Sequence, residues 1–81
     1  VQAYVGIVTE PKKARVVTQR LARLPELRQL CSVSGEFDYI ALLHADTTAR
    51  LDVLLDEIGE IDGVIKTTSS VVLALRVDRS G

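Results

Sequence analysis

The chain has 81 residues, of which 47% are hydrophobic and 26% charged, and its formal net charge is −1. This length suits one small domain, and a lone domain of this size is only marginally stable. The near-neutral charge excludes a general attraction to nucleic acid or membrane. The single cysteine excludes an intrachain disulfide and suits a reducing compartment, so we expect a cytoplasmic protein. No apolar run approaches the ~18 residues that span a bilayer.

The first half of the chain predicts a strand, a helix and a hairpin. Residues 2–9 alternate and are rich in β-branched side chains, which predicts a strand. Pro11 suits the first turn of a helix, and Pro25 ends it. Between them, apolar residues follow at helical spacing, namely Ala14, Val17, Leu21 and Leu24. The second and third strands are predicted at 27–34 and 37–45, joined by a two-residue turn at Gly35 and Glu36.

The second half predicts another helix and a long last strand. Asp46 is the predicted N-cap, and Gly59 is predicted to end the helix. The apolar stripe of this helix consists of Leu51, Leu54, Leu55 and Ile58. The last strand is predicted at 64–77. This βαββαβ order is that of the ferredoxin-like α+β fold, with a four-stranded antiparallel sheet and two helices on one face, so residues 1–81 are predicted to form a single domain.

The predicted strands are apolar on both faces. In the third strand Ile40 and Leu42 point one way, whereas Tyr39, Ala41 and Leu43 point the other. Two helices cover only one face, and an uncovered apolar sheet would expose a larger patch than monomers usually tolerate. We therefore predict that a second copy covers the other face, sheet against sheet or by a strand that crosses between subunits.

Catalytic and metal-binding candidates are few. With the predicted turn, Cys31 lies opposite Ile40 and His44 opposite Leu27, about 13 Å apart along the strands. A Cys–His dyad needs hydrogen-bond reach, so Cys31 is interpreted as a small core residue and His44 as a surface or boundary residue. No metal-ligand spacing or phosphate-binding glycine motif is present in the sequence. We predict no catalytic residue, no metal site and no cofactor.

The two predicted helices differ in charge, since the first is basic and the second acidic. One interpretation is two solvated faces with cross-helix ion pairs. The other is that the basic face binds nucleic acid. The basic segment has no interleaved aromatic residues, which favours the first interpretation.

Asp38 stands between Phe37 and Tyr39 and, in the predicted register, opposite Val33. A carboxylate among apolar neighbours needs a donor, a cation or a dimer partner. The segment VSGEFDYIALL, residues 33–43, resembles the Gly-x-x-Asp segment of the effector-binding (RAM) domain of the leucine-responsive regulatory protein and AsnC (Lrp/AsnC) family. Three further segments resemble the corresponding parts of that domain in the same order: QAYVGIVTEP, LARLPEL and GVIKTTSSVVL.

The resemblance implies ferredoxin-like dimers, each a dimeric α+β sandwich, that assemble further, often into octamers. It also implies that small effectors, commonly amino acids, bind between dimers near the Gly-x-x-Asp turn. Carried over to this sequence, the ligand-binding residues are Gly35, Glu36, Phe37 and Asp38 in the turn, with Thr67 and Ser69 in the last strand. Ser34 and Ser69 stand where the family usually has Thr.

Regulators of this family carry a DNA-binding helix-turn-helix ahead of the domain, whereas the first predicted strand here begins at residue 2. We therefore expect either a stand-alone effector-binding and oligomerisation domain or part of a longer protein. A stand-alone domain would not contact DNA directly and could join full-length regulators of the family by mixed assembly.

Three functions remain open from the sequence. The leading one is binding of an amino acid effector, with Asp38 as a ligand anchor. In the second, the chain is an assembly module without a ligand and Asp38 serves an interface. The third is a small dimeric enzyme of the monooxygenase type that uses His44 or Tyr39. An ACT domain would share the fold and the ligand type, but the Gly-x-x-Asp turn argues against it.

Overall fold

The computed structural model describes residues 1–80. Strand β1 is followed by a 3-10 turn at Pro11–Lys13 and then by helix α1; strands β2 and β3 follow, and then helix α2 and strand β4. The bounds are β1 Gln2–Thr9, α1 Ala14–Ala22, β2 Leu27–Ser32, β3 Tyr39–His44, α2 Thr48–Gly59 and β4 Val64–Val71. The predicted ferredoxin-like α+β order is confirmed.

The four strands form one antiparallel sheet in the order β2-β3-β1-β4. Both helices pack on the same face, because their buried residues share one core with alternate residues of β1 and β3. We call this side the covered face. Its largest fully buried side chains are Val5, Ile7, Val17, Leu21, Leu43, Leu54 and Ile58. Burying a side chain of this kind contributes about 1.5–3 kcal/mol before the entropy cost of ordering the chain.

The other side of the sheet, which we call the open face, carries the residues that alternate with this core. Residues directly opposite each other on paired strands share a face, so Tyr4 lies beside Leu42 and Ser70, and Gly6 lies beside Ile40 and Thr68. Tyr4 is 49% exposed, whereas Ile40 and Leu42 are half-buried. The apolar character predicted for this face is therefore found on β1 and β3, whereas β4 contributes mainly polar residues.

Strand β4 is shorter than predicted, since it ends at Val71 rather than at residue 77. Among the described residues it pairs with β1 alone, and the last strand pair is Ala3 with Val71. The amide of Val72 still donates to the carbonyl of Gln2. Residues 72–80 have no strand partner within the described part of the chain, and Leu73 is 95%, Leu75 71% and Val77 62% exposed.

The hairpin between β2 and β3 keeps the predicted register but has shorter strands. Cys31 lies opposite Ile40 as expected. The ladder ends at the Ser32–Tyr39 pair, so β2 and β3 do not reach the predicted residues 34 and 37. A bulge near Arg28 places Leu27 opposite Leu43 rather than opposite His44. The core assignment of Cys31 was wrong, because its side chain is exposed on the edge strand β2.

Helix α2 begins one residue later than the sequence indicated. The N-cap is Thr47, whose hydroxyl accepts a 3.0 Å hydrogen bond from the amide of Arg50. The prediction of Asp46 as the N-cap was therefore wrong. The helix ends at Gly59, as predicted. None of the helices within residues 1–80 is long and apolar enough to cross a membrane.

Candidate functional site

The Gly-x-x-Asp turn is a four-residue loop, Ser34–Phe37, closed by a 3.1 Å hydrogen bond from the amide of Val33 to the carbonyl of Asp38. It is wider than the predicted two-residue turn. Gly35 has a φ of +104°, a region that L side chains rarely adopt, and the space beside its Cα is empty. A side chain at this position would therefore strain the backbone rather than clash.

Asp38 joins this loop to the end of β1. Its amide donates to the carbonyl of Ile7 at 2.9 Å, and its Oδ2 accepts from the amide of Thr9 at 2.8 Å. The hydrogen-bond donor predicted for this carboxylate is thus the backbone N–H of Thr9. The residue as a whole is exposed rather than enclosed by apolar neighbours. Within residues 1–80 no hydrogen bond reaches Oδ1, so one oxygen of the carboxylate is available to a ligand.

Phe37 covers the strand next to this anchor. A Cβ built on Gly6 would lie only 2.7 Å from the nearest atoms of the Phe37 ring. The ring therefore packs directly on the Gly6 backbone, on the open face, and is half-buried there. This contact explains why a residue without a side chain stands in the middle of a central strand.

The hydroxyl residues predicted for the site lie on the other side of the sheet. Thr67 is opposite Ile7 and Ser69 is opposite Val5, both of which are fully buried on the covered face. Within one chain the fold therefore does not bring Thr67 and Ser69 together with Asp38. Glu36 is exposed at the tip of the loop.

The open face brings two other polar residues of β4 towards the turn. Thr68 is opposite Gly6, beside the Phe37 ring, and Lys66 is opposite Val8. The β1–β3 pairing ends with Ile7 opposite Tyr39, and one further step sets Asp38 beside Val8. Asp38 and Lys66 therefore flank Val8 from either side, about 10 Å apart across two strand spacings. Sequence reasoning missed Lys66 and Thr68. Only the β1–β4 register, which the sequence did not supply, could have indicated them.

Two ion-pair clusters lie away from this turn. Arg50 Nε donates to Glu26 Oε2 at 2.8 Å and also approaches Glu57, and Lys13 Nζ lies 2.9 Å from Asp62. The hydrogen bond from Arg50 lowers the pKa of Glu26 below its ordinary value, and the hydrogen bond to Asp62 raises the pKa of Lys13. Both clusters hold loops against the helices.

Other candidate sites lie apart from this turn. His44 is exposed opposite Gln2, and Cys31 is on β2. No cluster of metal-ligating side chains occurs in the described part of the chain. A cavity of about 300 Å³ lies between the two helices, lined by Arg20, Leu24, Glu57, Ile58, Glu60 and Ile61.

A ferredoxin-like sheet with one helix-covered face and an anchored acidic turn at the edge of its open face is typical of a small ligand-binding or assembly domain. The Lrp/AsnC ligand-binding domain matches residues 2–81, and the chain belongs to this family.

Relatives and solved structures agree with this assignment. The chain is 32% identical over 69 residues to the HTH-type transcriptional regulator LrpA of Pyrococcus horikoshii. The aligned region covers 84% of this chain and 49% of LrpA. It therefore spans about half the length of that relative. The structure of FFRP-DM1 superposes with a TM-score of 0.86 at 30% identity, over 90% of this chain and 99% of that one. A feast or famine regulatory protein from M. tuberculosis, complexed with L-methionine, superposes with a TM-score of 0.83 at 26% identity, over 99% of this chain and 54% of that one.

Proposed function

We propose that this domain binds an amino acid effector at the Gly35–Asp38 turn and couples that binding to oligomerisation in transcriptional regulation. The observation that carries the proposal is the carboxylate of Asp38, which is fixed by the amide of Thr9 and keeps Oδ1 available. A fixed carboxylate can hold the ammonium group of an amino acid through a charge-assisted hydrogen bond. The methionine complex of the M. tuberculosis relative supports this ligand class.

The other end of such a ligand needs a cation or hydrogen-bond donors. Lys66 and Thr68 face the open side in the rows of Asp38 and Gly6 and are suited to the ligand carboxylate. Gly35, Glu36 and Phe37 form the wall of the loop. Thr67 and Ser69 face the other way, so in this proposal they contact a ligand, or an interface, that involves a neighbouring subunit.

A second copy completes the open face in this proposal. Tyr4 is 49% exposed beside the apolar Leu42, and the apolar residues at 73, 75 and 77 protrude beyond β4. Covering this surface removes apolar area from water. We propose a homodimer through the open face, with further assembly of dimers into an octamer-like particle.

The cellular role follows from the same family. We propose a non-enzymatic, cytoplasmic domain that acts in transcriptional regulation, because the relatives are named as transcriptional regulators. We also propose that the domain occurs in a stand-alone form, which the match to 99% of the FFRP-DM1 chain supports.

The test is thermal unfolding of the domain with each common amino acid at millimolar concentration. A ligand at a hundred times its Kd adds about 2.7 kcal/mol of stability, or several degrees for a domain of this size. We expect one or a few amino acids to raise the Tm of the wild-type chain.

Two substitutions at Asp38 separate its structural role from ligand binding. Asp38→Asn keeps an oxygen acceptor for the amide of Thr9 but loses the charge, so we expect near-normal folding and affinity reduced at least about tenfold. Asp38→Ala also leaves the Thr9 amide without its acceptor and should cost about 1–3 kcal/mol.

The assembly-module alternative is favoured by the same Asp38–Thr9 bond, which is sufficient by itself to explain the carboxylate. It predicts that no amino acid changes the Tm and that Asp38→Asn behaves like the wild type. A flat response across the whole panel would therefore contradict the effector proposal.

A further inference from the structure

The two helices present opposite charges at equivalent positions. Strand β2 begins at Leu27 and β4 at Val64, so equivalent positions of the two βαβ halves differ by 37 residues. The buried residues agree with this alignment, since Val17 matches Leu54 and Leu21 matches Ile58. On the exposed side, three arginines match three acids: Arg15 with Asp52, Arg20 with Glu57 and Arg23 with Glu60.

A valine lies within each charged surface. Val16 on α1 and Val53 on α2 are equivalent positions, and each is 48% exposed. Within residues 1–80, no ion pair involves Arg15, Arg20 or Arg23, and none involves the acids Asp52, Asp56 or Glu60. The positive and negative surfaces thus lie side by side on one layer of helices, largely unneutralised, each around an apolar centre.

The direction of the helices determines how a second copy could dock. Strands β1 and β2 run the same way, since both are antiparallel to β3, whereas β3 and β4 run the opposite way. Helices α1 and α2, which return between these strands, are therefore roughly antiparallel. A copy turned by 180° about an axis parallel to the helices sets its α1 against α2 of the first copy, and its α2 against α1.

We infer that this helix layer is a self-complementary interface, through which α1 of one copy docks on α2 of a second copy. Both helix contacts of the symmetric pair then join opposite charges, as an isologous interface requires. Rotation about the perpendicular axis would set arginines against arginines, so the charge pattern selects the first arrangement. Electrostatic complementarity of this kind fixes orientation and partner choice.

The proposed pairing is antiparallel and has a specific register. It sets Arg15 opposite Glu60 of the second copy and Arg23 opposite Asp52. The same register places Val16 against Gly59 and Val53 against Ala22, which are small residues exposed on their helices. The interface lies on the opposite side of the molecule from the open face, so two different contacts can link more than two copies. This inference goes beyond the effector function and does not depend on ligand binding.

The test uses two charge-reversed forms of the whole chain. Form A carries Arg15→Glu and Arg23→Glu, so the four residues that pair across the contact are all acidic. Form B carries Asp52→Lys and Glu60→Lys, so the same four positions are all basic. All four residues are exposed, and circular dichroism checks that both forms fold. The matched control is Arg28→Glu with Arg79→Glu, which changes the net charge as form A does but lies outside the helices.

Sedimentation velocity at 0.1 M salt, where the Debye length is about 10 Å, measures assembly. We expect forms A and B to sediment at about half the wild-type assembly mass, and the control at the wild-type mass. An equimolar mixture of A and B restores opposite charges at both helix contacts and should recover the wild-type mass. In 1 M salt, where the Debye length is about 3 Å, the wild type should lose the same contact.

Unchanged masses for A and B, or a mixture that does not recover, would overturn the inference. A second result would also overturn it: duplex DNA binds the wild type but not form A, while the two proteins sediment at equal mass. The arginines would then be a binding site for a polyanion rather than for a second copy. If an amino acid still raises the Tm of form A, the effector proposal holds independently of this interface.

Discussion

At the scale of single residues, the turn between β2 and β3 depends on two contacts with β1. Asp38 accepts a hydrogen bond from the Thr9 amide, and the Phe37 ring packs on Gly6. Both contacts join the segment just ahead of β3 to β1, so they fix the loop on a central strand of the sheet. A ligand that uses Asp38 therefore meets a carboxylate whose position is already set, which lowers the entropy cost of binding.

The Phe37–Gly6 contact predicts that Gly6→Ala is destabilising. The new methyl group would lie 2.7 Å from the ring, and overpacking of this kind costs about 1–3 kcal/mol. Urea unfolding measures the loss. The control is Gly59→Ala, where nothing lies within 4 Å of the new Cβ and the helix should gain about 0.5–1 kcal/mol. Equal stability of Gly6→Ala and the wild type would show that the ring is not held there.

The sequence indicated part of this residue-level picture. It showed that Asp38 required a partner, but it could not identify Thr9, because that contact depends on the β1–β3 register. The faces of Thr67 and Lys66 likewise depend on the β1–β4 register. Cys31 was assigned to the core because its strand is apolar, whereas it lies on the open face, opposite Ile40 and on the edge strand β2, which leaves it exposed.

At the scale of elements, the start of α2 provides a direct choice between two caps. Thr47→Ala removes the acceptor for the Arg50 amide and should cost about 1 kcal/mol in the free energy of unfolding. Asp46→Ala, the matched change one residue earlier, should have little effect. Chemical denaturation of the two variants would contradict the assignment if the larger loss occurred at Asp46.

The ion pair between α2 and the start of β2 predicts a pH dependence. The Arg50 hydrogen bond lowers the folded-state pKa of Glu26 below its ordinary value of 4.5. The stabilisation of the fold by the Arg50–Glu26 ion pair is therefore fully present above about pH 4.5. It is lost as the pH falls through the lower folded-state pKa of Glu26. We expect Arg50→Gln to be less stable than the wild type at neutral pH, with the difference narrowing in acid. Urea titrations at several pH values measure it, and a constant difference would be contrary evidence.

Element order was predictable, whereas element length was not. The 3.6-residue and two-residue periodicities placed both helices and all four strands. The predicted strand at 64–77 was too long because β-branched composition does not show where the partner strand stops. The ladder with β1 ends at Val71, although strand-forming residues continue beyond it.

At the scale of the whole molecule, the open face predicts self-association. Tyr4→Glu places a charge in the middle of this face and should shift the chain towards monomer, because burying an unpaired charge is unfavourable. Thr48→Glu, at the exposed start of α2, is the matched control and should sediment like the wild type. A wild-type chain that sediments as a monomer at micromolar concentration would contradict the proposed dimer.

The effector proposal is tested most directly by equilibrium dialysis of the wild-type chain against a mixture of the common amino acids. We predict that one or a few of them are enriched on the protein side, approaching one molecule per chain at saturation, and that Asp38→Asn abolishes the enrichment. Equal concentrations of every amino acid on both sides of the membrane would contradict it and would leave Asp38 with only its bond to the Thr9 amide.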